Sequence, residues 1–267
     1  MLFIILFVLF SLGFAGLFYF ISTLFSLSAW FLFLWVFLGV LTTILIIVIF
    51  CVLFLLIGSK TKPDSSFKHF ILRHGFKTFC LLYHVKYSFE GVENIPNSTY
   101  VVYANHKSNM DPIFIYLGMN RKVTVIGKST LVKNFWMNKI FETFGALPLD
   151  RDNDREAAKT IIKAIKIVKN GLPIIIFPEG GIKSRDTDEM VNLRAGAYKL
   201  ATKANAPILP CSIVGSSKIK TKKFFQTVNV HVTFYKPITP EEYNGMNTTQ
   251  IGLMVEDIIN EGIKLEK

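Results

Sequence analysis

Residues 105–112 read Asn-His-Lys-Ser-Asn-Met-Asp-Pro, and they directly follow an apolar run over residues 100–104. The run predicts a short buried strand, and Pro112 with Asp111 before it predicts a helix that has Asp111 at its N-cap. A carboxylate there can accept a hydrogen bond from one ring nitrogen of His106 and fix its tautomer. The other nitrogen is then free to act as a general base. An Asx-turn and an N-cap beside a bystander histidine would give the same residues, so both interpretations stay open.

The chain after residue 84 alternates between strand-like and helix-like runs. The strand-like runs cover residues 85–89, 100–104, 123–126, 174–177, 208–214 and 228–234. The helix-like runs cover residues 113–118, 131–144, 155–169, 193–204 and 248–264. This alternation predicts an α/β domain over residues 85–267, with a largely parallel central sheet flanked by helices.

The first 59 residues contain no Asp, Glu, Lys or Arg, so the net charge of +11 lies wholly in residues 60–267. Apolar runs over residues 2–21 and 30–57 are each long enough to span a bilayer, which takes about 20 residues. The short connection between them is marked by Ser22, Thr23, Ser26 and Ser28. A signal peptide is the alternative, but its basic n-region is missing. The pattern therefore favours a transmembrane helical hairpin as an anchor over residues 1–59, although a hairpin lying in one leaflet also fits.

Residues 60–84 form a polar linker followed by a predicted amphipathic helix over residues 67–83. Its polar face carries His69, Arg73, His74 and Lys77, whereas Lys68 falls among the apolar positions. Basic residues that directly follow an apolar span predict that the C-terminal domain faces the cytoplasm in an integral protein of the cell membrane. The helix is expected to lie at the membrane interface, and an ordinary surface helix packed on the domain is the alternative.

Other classes of function are not supported by the sequence. The three cysteines are far apart and form no CxxC pair, which is typical of a reducing compartment and predicts neither a disulfide nor a zinc site. Gly127-Lys128-Ser129 resembles the end of a P-loop, but Lys122 stands where that motif needs a glycine. No grouping of metal ligands is present, so no metal is predicted. Much of the phenylalanine lies in the apolar N-terminus, so a lipid bilayer and not a nucleic acid is the predicted partner of this basic chain.

In three further stretches, residues that could help to form a ligand site lie next to the ends of predicted strands. Residues 177–181 read Phe-Pro-Glu-Gly-Gly after a buried run, and the two glycines can present backbone N–H groups to an anion, with Lys183 and Arg185 just beyond. Residues 145–151 end in Arg151, whose guanidinium can bind a phosphate through two hydrogen bonds. Residues 206–210 place two prolines around a strand start. Taken alone, residues 177–181 are also compatible with a strand-to-loop turn beside a solvated basic patch, and Arg151 is also compatible with a surface salt-bridge partner.

Taken in order, these stretches resemble the motifs of the glycerophospholipid acyltransferase family. His106 and Asp111, with Asn105 before them, resemble the first motif. Residues 145–151, 177–180 and 206–210 resemble the second, third and fourth motifs, and Lys128 and the segment 193–197 also lie where the family has similar residues. One departure stands out: the third motif usually continues with Thr-Arg, and here Gly181-Ile182 follow.

The resemblance implies a membrane-anchored enzyme that moves a fatty acyl group from an acyl thioester to the sn-2 hydroxyl of 1-acylglycerol 3-phosphate, giving phosphatidic acid. In the implied mechanism His106 is the general base and Asp111 orients it. The implied substrate-binding residues are Asn105, Lys128, Arg151, Phe177, Pro178, Glu179, Gly180, Lys183 and Arg185. Among these, Arg151 would hold the phosphate of the lysophospholipid acceptor. No bound cofactor is implied; the thioester of coenzyme A or of an acyl carrier protein is a co-substrate.

Two alternatives remain open at the level of sequence. One is an acyltransferase with another acceptor, such as glycerol 3-phosphate or a different lysophospholipid, because the third motif is altered. The other is a non-catalytic, membrane-anchored lipid-binding protein of the same fold. The presence of both His106 and Asp111 argues against it, because a binding module needs neither residue.

Overall fold

The computed structural model describes residues 2–24, 32–61, 65–191, 193–223 and 225–266. Its helices are α1 (Leu2–Leu24), α2 (Leu32–Gly58), α3 (Ser66–Leu82), α4 (Asp111–Met119), α5 (Phe135–Phe144), α6 (Asp154–Lys169), α7 (Lys199–Ala204) and α8 (Thr248–Leu265). Its strands are β1 (Val85–Glu90), β2 (Val101–Ala104), β3 (Thr124–Lys128), β4 (Leu147–Leu149), β5 (Ile174–Ile176), β6 (Ile208–Val214) and β7 (Val228–Phe234). The predicted α/β class is confirmed.

The described strands form one seven-stranded sheet in the order β1-β7-β6-β2-β5-β3-β4. Every neighbouring pair is parallel except β6 and β7, so the prediction of a largely parallel sheet is confirmed. The central strands β2 and β5 are buried at every position, as expected for strands covered on both faces. The sequence interpretation missed β4, because an edge strand of three residues with Pro148 at its centre has no readable period.

The two faces of the sheet are covered by different helices. Val102 and Ala104 of β2 pack against α3 and α4, whereas Val101 and Tyr103 pack against α6, α7 and α8. Successive side chains of a strand point to opposite faces, which explains why a continuous apolar run supplies both cores. The result is a three-layer sandwich with a core on each side of the sheet.

Two predicted helical runs are each divided into a short 3-10 helix and an α-helix. The run over residues 131–144 becomes a short 3-10 helix, Ser129–Lys133, followed by α5, because the Asn134 side chain accepts hydrogen bonds from Trp136 N and Met137 N. The run over residues 193–204 likewise becomes a 3-10 helix, Ala195–Tyr198, followed by α7. Helix α4 begins at Asp111 itself, and Met110 occupies the N-cap position predicted for Asp111.

Helices α1 and α2 pack against each other in antiparallel directions. Phe18 stacks on Trp35 with ring centroids 6.2 Å apart, and a Cβ on Gly39 would lie 2.6 Å from Ser11 O. Both helices are long and apolar enough to cross a membrane. Ser22 and Thr23, expected in the connection, lie in the last turn of α1, where their hydroxyls donate to Tyr19 O and Phe20 O; Ser26 and Ser28 lie outside the described residues.

Helix α3 connects the pair of helices α1 and α2 to the α/β part of the chain. The unexpected position of Lys68 has a structural reason: its side chain is 3% exposed, and Nζ donates to Gly58 O at 2.9 Å, which caps the end of α2. The prediction that His69 lies on the polar face of the helix is wrong. Its Nδ1 lies 2.9 Å from Tyr116 Oη of α4, so the His69 side chain faces the domain. Leu72 and Phe76 pack into the core, whereas Phe67 and Leu82 are exposed.

Four parallel strands bring the functional loops to one edge of the sheet. The neighbours β2, β5, β3 and β4 run in the same direction, so the segments that follow them leave the sheet together. Those segments carry His106 after β2, Glu179 after β5 and Arg151 after β4. In open α/β sheets ligands bind at the carboxyl ends of the strands, so a binding site is expected at this edge.

The close packing of α4 on the sheet gives a stability prediction. A Cβ on Gly118 would lie 2.8 Å from Phe89 Cδ1 and 2.9 Å from Phe234 Cε2. Gly118→Ala should therefore lower the free energy of unfolding by about 1–3 kcal/mol. Gly75→Ala in α3 is the matched control, because no atom of the described residues lies within 4 Å of its Cβ and alanine favours the helix. Thermal unfolding in detergent should give a lowered midpoint only for Gly118→Ala; equal midpoints for the two variants would contradict this packing.

Candidate active site

The carboxylate of Asp111 organises the loop that follows β2. Its Oδ2 accepts hydrogen bonds from His106 Nδ1 at 3.0 Å, from Lys107 N at 2.7 Å and from Ser108 N at 2.7 Å. Asp111 is fully buried and is the first residue of α4, where the helix dipole favours a negative charge. With Nδ1 donating to Asp111, the lone pair of His106 lies on Nε2. Nε2 has no hydrogen-bond partner among the described residues, so it is available to a substrate hydroxyl.

Glu179 ties this loop to the segment that follows β5. Its Oε1 accepts from His106 N at 2.7 Å, and its Oε2 accepts from Lys107 Nζ at 3.1 Å. The side chains of Lys107 and Glu179 are both 0% exposed, so each charge compensates the other. Burial raises the pKa of Glu179 above its ordinary value, and the bonds from His106 N and from Lys107 oppose the rise. Loss of one partner of such a pair costs about 3–5 kcal/mol, because a buried charge is left alone.

Lys107 is the functional residue that sequence reasoning missed. Between His106 and Ser108 it reads as one more surface lysine, yet it is completely buried. The signal that could have found it is positional. A lysine just after one buried strand and a glutamate just after a second can meet when the two strands are parallel neighbours.

Asn105 and Arg185 also hold the loop that follows β2 in place. The Asn105 amide donates to Asp188 O at 2.6 Å and to Ile213 O at 2.8 Å, and it accepts from Ile213 N at 2.8 Å. Arg185 Nε donates to Lys107 O at 3.0 Å. Both residues were predicted to bind substrate, but neither lines one of the two cavities described below. The structure places both where they hold the loop.

An apolar cavity of about 580 Å³ opens beside His106, a volume typical of small-molecule sites. Its walls come from α3, α4, α5, β3 and the loop after β5. The aromatic residues in its walls are Phe76, Tyr116, Phe141, Phe144 and Phe177. Phe177 also stacks on the His106 ring with centroids 4.2 Å apart and thereby limits how the imidazole can turn. An aliphatic chain fits this environment, with a reactive group next to His106.

Arg151 stands between this cavity and a second one of about 470 Å³. Burial lowers the pKa of Arg151, the nearby Arg194 lowers it further, and Asp152 opposes them. Lys128 lines the apolar cavity, and Pro178 and Gly180 line the second. Lys183, predicted to bind substrate, is exposed and lines neither of the two cavities.

An oriented imidazole at the carboxyl edge of a parallel sheet, an apolar cavity beside it and a cation on the cavity wall form an α/β site whose chemistry suits removal of a proton from a hydroxyl of an amphiphilic ligand. A family model described as Acyltransferase matches residues 86–214. The chain is 30% identical to a 1-acyl-sn-glycerol-3-phosphate acyltransferase of Borreliella burgdorferi over 173 residues, which is 62% of this chain and 68% of the relative. The chain therefore belongs to the acyltransferase family that contains the 1-acyl-sn-glycerol-3-phosphate acyltransferases.

Two further similarities agree with that membership. A probable 1-acyl-sn-glycerol-3-phosphate acyltransferase of Mycoplasma pneumoniae is 32% identical over 174 residues, which is 60% of this chain and 64% of the relative. The chain thus spans slightly less than two thirds of that relative. The crystal structure of the 1-acyl-sn-glycerophosphate acyltransferase PlsC from Thermotoga maritima has a TM-score of 0.65 at 26% identity, covering 80% of this chain and 88% of that one.

The geometry of His106 and Asp111 gives a kinetic prediction. His106→Ala should lower kcat by about 10²–10⁴-fold, the usual contribution of a positioned general base. Asp111→Asn should also lower kcat with little effect on acceptor binding, because Asp111 holds the imidazole and does not face the cavity. His231→Ala is the matched control, since His231 lies on β7 and lines neither cavity. Steady-state kinetics with saturating donor measure these effects, and a His106→Ala variant that kept most of its kcat would refute the assignment.

Proposed function

We propose that this chain is a 1-acylglycerol-3-phosphate O-acyltransferase, which uses an acyl thioester to convert its lysophospholipid acceptor into phosphatidic acid. The observation that carries the proposal is the hydrogen bond of 3.0 Å between His106 Nδ1 and Asp111 on the wall of an apolar cavity. A binding protein would need the cavity but not an oriented imidazole. The activity for which the relatives are named supports the same reaction.

The reaction follows from these positions. His106 Nε2 removes the proton from the sn-2 hydroxyl, and the oxygen attacks the thioester carbonyl as the proton leaves. The tetrahedral intermediate then collapses: the carbon–sulfur bond breaks, the new ester remains, and the thiolate takes the proton back from the imidazolium. Asp111 stabilises the imidazolium by accepting its Nδ1–H throughout.

The acceptor is proposed to bind with its acyl chain in the apolar cavity and its phosphate against Arg151. Arg151 can make charge-assisted contacts there, and Lys128, an exposed cation on the same cavity, adds favourable charge. Phe177, Pro178 and Gly180 shape the boundary with the second cavity. Asn105, Glu179 and Arg185 would act on the substrate indirectly, by holding the His106 loop.

We also infer that residues 1–59 anchor the enzyme and that the domain of residues 85–267 lies on the cytoplasmic face of the cell membrane. The two apolar N-terminal helices support membrane association. The orientation follows from the basic residues Lys60, Arg73 and Lys77, which come directly after the second apolar helix. An anchor is useful here, because the lysolipid and its product both reside in the bilayer.

The proposed activity predicts release of thiol and formation of phosphatidic acid by the full-length chain in detergent. With acyl-coenzyme A or an acyl carrier protein as donor, 1-acylglycerol 3-phosphate should give a higher kcat/KM than glycerol 3-phosphate or lysophosphatidylglycerol. A higher value with either of the other acceptors would reassign the substrate. Saturable binding of the lysolipid without thiol release from any donor would instead support the non-catalytic alternative.

The same assay in sealed vesicles tests the orientation. An acyl-coenzyme A donor does not cross the bilayer, so it reaches the domain only from the side on which the domain lies. Activity is expected in inside-out vesicles and not in right-side-out vesicles until detergent opens them. The reverse distribution would overturn the cytoplasmic placement and leave the proposed reaction intact.

A further inference from the structure

Two arginine side chains converge on the Gly180-Gly181 backbone, where the sequence departs from the family motif. A Cβ on Gly180 would lie 2.6 Å from Arg194 Nε, and a Cβ on Gly181 would lie 3.1 Å from Arg151 Nη1. Both glycines have positive φ angles, +73° and +140°, that other residues rarely adopt. The paired glycines therefore leave room for one guanidinium on each side of the loop. A threonine in place of Gly181, as the family usually has, would crowd Arg151.

The two guanidinium groups lack direct polar partners among the described residues, and Asp152 is the nearby carboxylate that partly offsets the charge of Arg151. Within the described ranges, neither Arg151 nor Arg194 forms an ion pair or a side-chain hydrogen bond, and Arg151 Nε is buried and unsatisfied. The two groups are close enough for Arg194 to lower the pKa of Arg151. Lys199 and Lys203 line the same second cavity, whose one lining carboxylate among described residues is Asp154. Positive charge held together in this way is stabilised by an anion.

The position of this arginine pair relative to the base fits a single extended substrate. Arg151, Ile126 and Phe177 line both cavities, and Phe177 stacks directly on His106. A ligand with its hydroxyl at His106 and its chain in the apolar cavity can therefore extend a polar group past Phe177 to Arg151. Arg194 faces the same point from the second cavity.

We propose that Arg194, together with Arg151, binds the phosphate monoester of the acceptor and so supplies the cation that Ile182 does not. Arg194 lies in the segment 193–197 and had no assigned role, because it stands twelve residues beyond the altered motif. The backbone of Arg194 is held next to the site: Arg194 N donates a hydrogen bond to Pro178 O at 2.9 Å, which fixes the start of this segment against the loop after β5. This assignment rests on the proposed function for the identity of the acceptor.

The alternatives near the altered motif are less well placed. Lys183 is exposed and lines neither cavity, and Arg185 donates its Nε–H to Lys107 O. A phosphate of the donor has the same chemistry as that of the acceptor, so the experiment must separate the two. Arg155 offers a matched control: it is an exposed arginine on α6 next to Asp154, and it lines neither cavity.

The test compares wild type, Arg194→Gln, Arg194→Lys and Arg155→Gln as full-length chains in detergent. Loss of one charge-assisted contact should raise the KM for 1-acylglycerol 3-phosphate about 10- to 100-fold in Arg194→Gln. The kcat and the KM of the thioester donor should change little, Arg194→Lys should restore part of the loss, and Arg155→Gln should match wild type. A raised KM for the donor alone would overturn the assignment in favour of a donor phosphate.

Binding without turnover separates this inference from the proposed function. Equilibrium binding of 1-acylglycerol 3-phosphate and of phosphate-free 1-acylglycerol is measured in the absence of donor. Arg194→Gln should weaken only the first, by the same factor as the KM. If wild type binds the phosphate lipid through Arg194 but never acylates it, the proposed function fails and the arginine assignment stands. Equal binding by wild type and Arg194→Gln would refute the assignment even in an active acyltransferase.

Discussion

The whole site depends on one carboxylate oxygen that holds three donors. Asp111 Oδ2 fixes the ring of His106 and the backbone N–H groups of Lys107 and Ser108, so the imidazole and its loop have a single arrangement. Hydrogen bonds to a charged group are each worth about 1.5–3 kcal/mol, enough to hold a short loop without help from the substrate. Glu179 then fixes the same loop to the neighbouring strand end through His106 N and Lys107 Nζ. Two buried carboxylates thus preorganise one imidazole.

The parallel sheet explains why so few residues are needed. Because β2, β5, β3 and β4 are adjacent and point the same way, segments far apart in sequence leave the sheet at one edge. The distance from His106 to Glu179 along the chain is 73 residues, yet their contact is a hydrogen bond of 2.7 Å. The same edge opens into an apolar cavity on one side of Arg151 and, on the other, into a second cavity that carries Arg194, Lys199 and Lys203 among apolar side chains. An amphiphile with a chain, a hydroxyl and a phosphate matches this distribution of charge.

Much of this could be read from the sequence, and the failures have physical causes. The strands over residues 208–214 and 228–234 were predicted with their observed limits, since a mainly apolar run in the first and an apolar–polar alternation in the second both indicate a strand. The pairing of His106 with Asp111 followed from local spacing. Long-range partners were harder to predict: the contact of Lys107 with Glu179 requires that β2 and β5 be neighbours, and the cap that Lys68 places on α2 requires the packing of α3 against the end of α2. The role of Arg194 could not be predicted from the sequence, because it depends on the space that Gly180 and Gly181 leave for the guanidinium groups in the folded chain.

The central claim is that Asp111 holds His106 as the tautomer that leaves Nε2 free. Nitrogen-15 NMR of histidine-labelled protein tests it directly, and a spectrum of His106→Ala identifies the His106 signals among those of the five histidines. At a pH where the imidazole is neutral, His106 should carry its proton on Nδ1, and Asp111→Asn should lose that preference. A proton on Nε2 in the wild-type protein, or equal populations of the two tautomers, would contradict the claim.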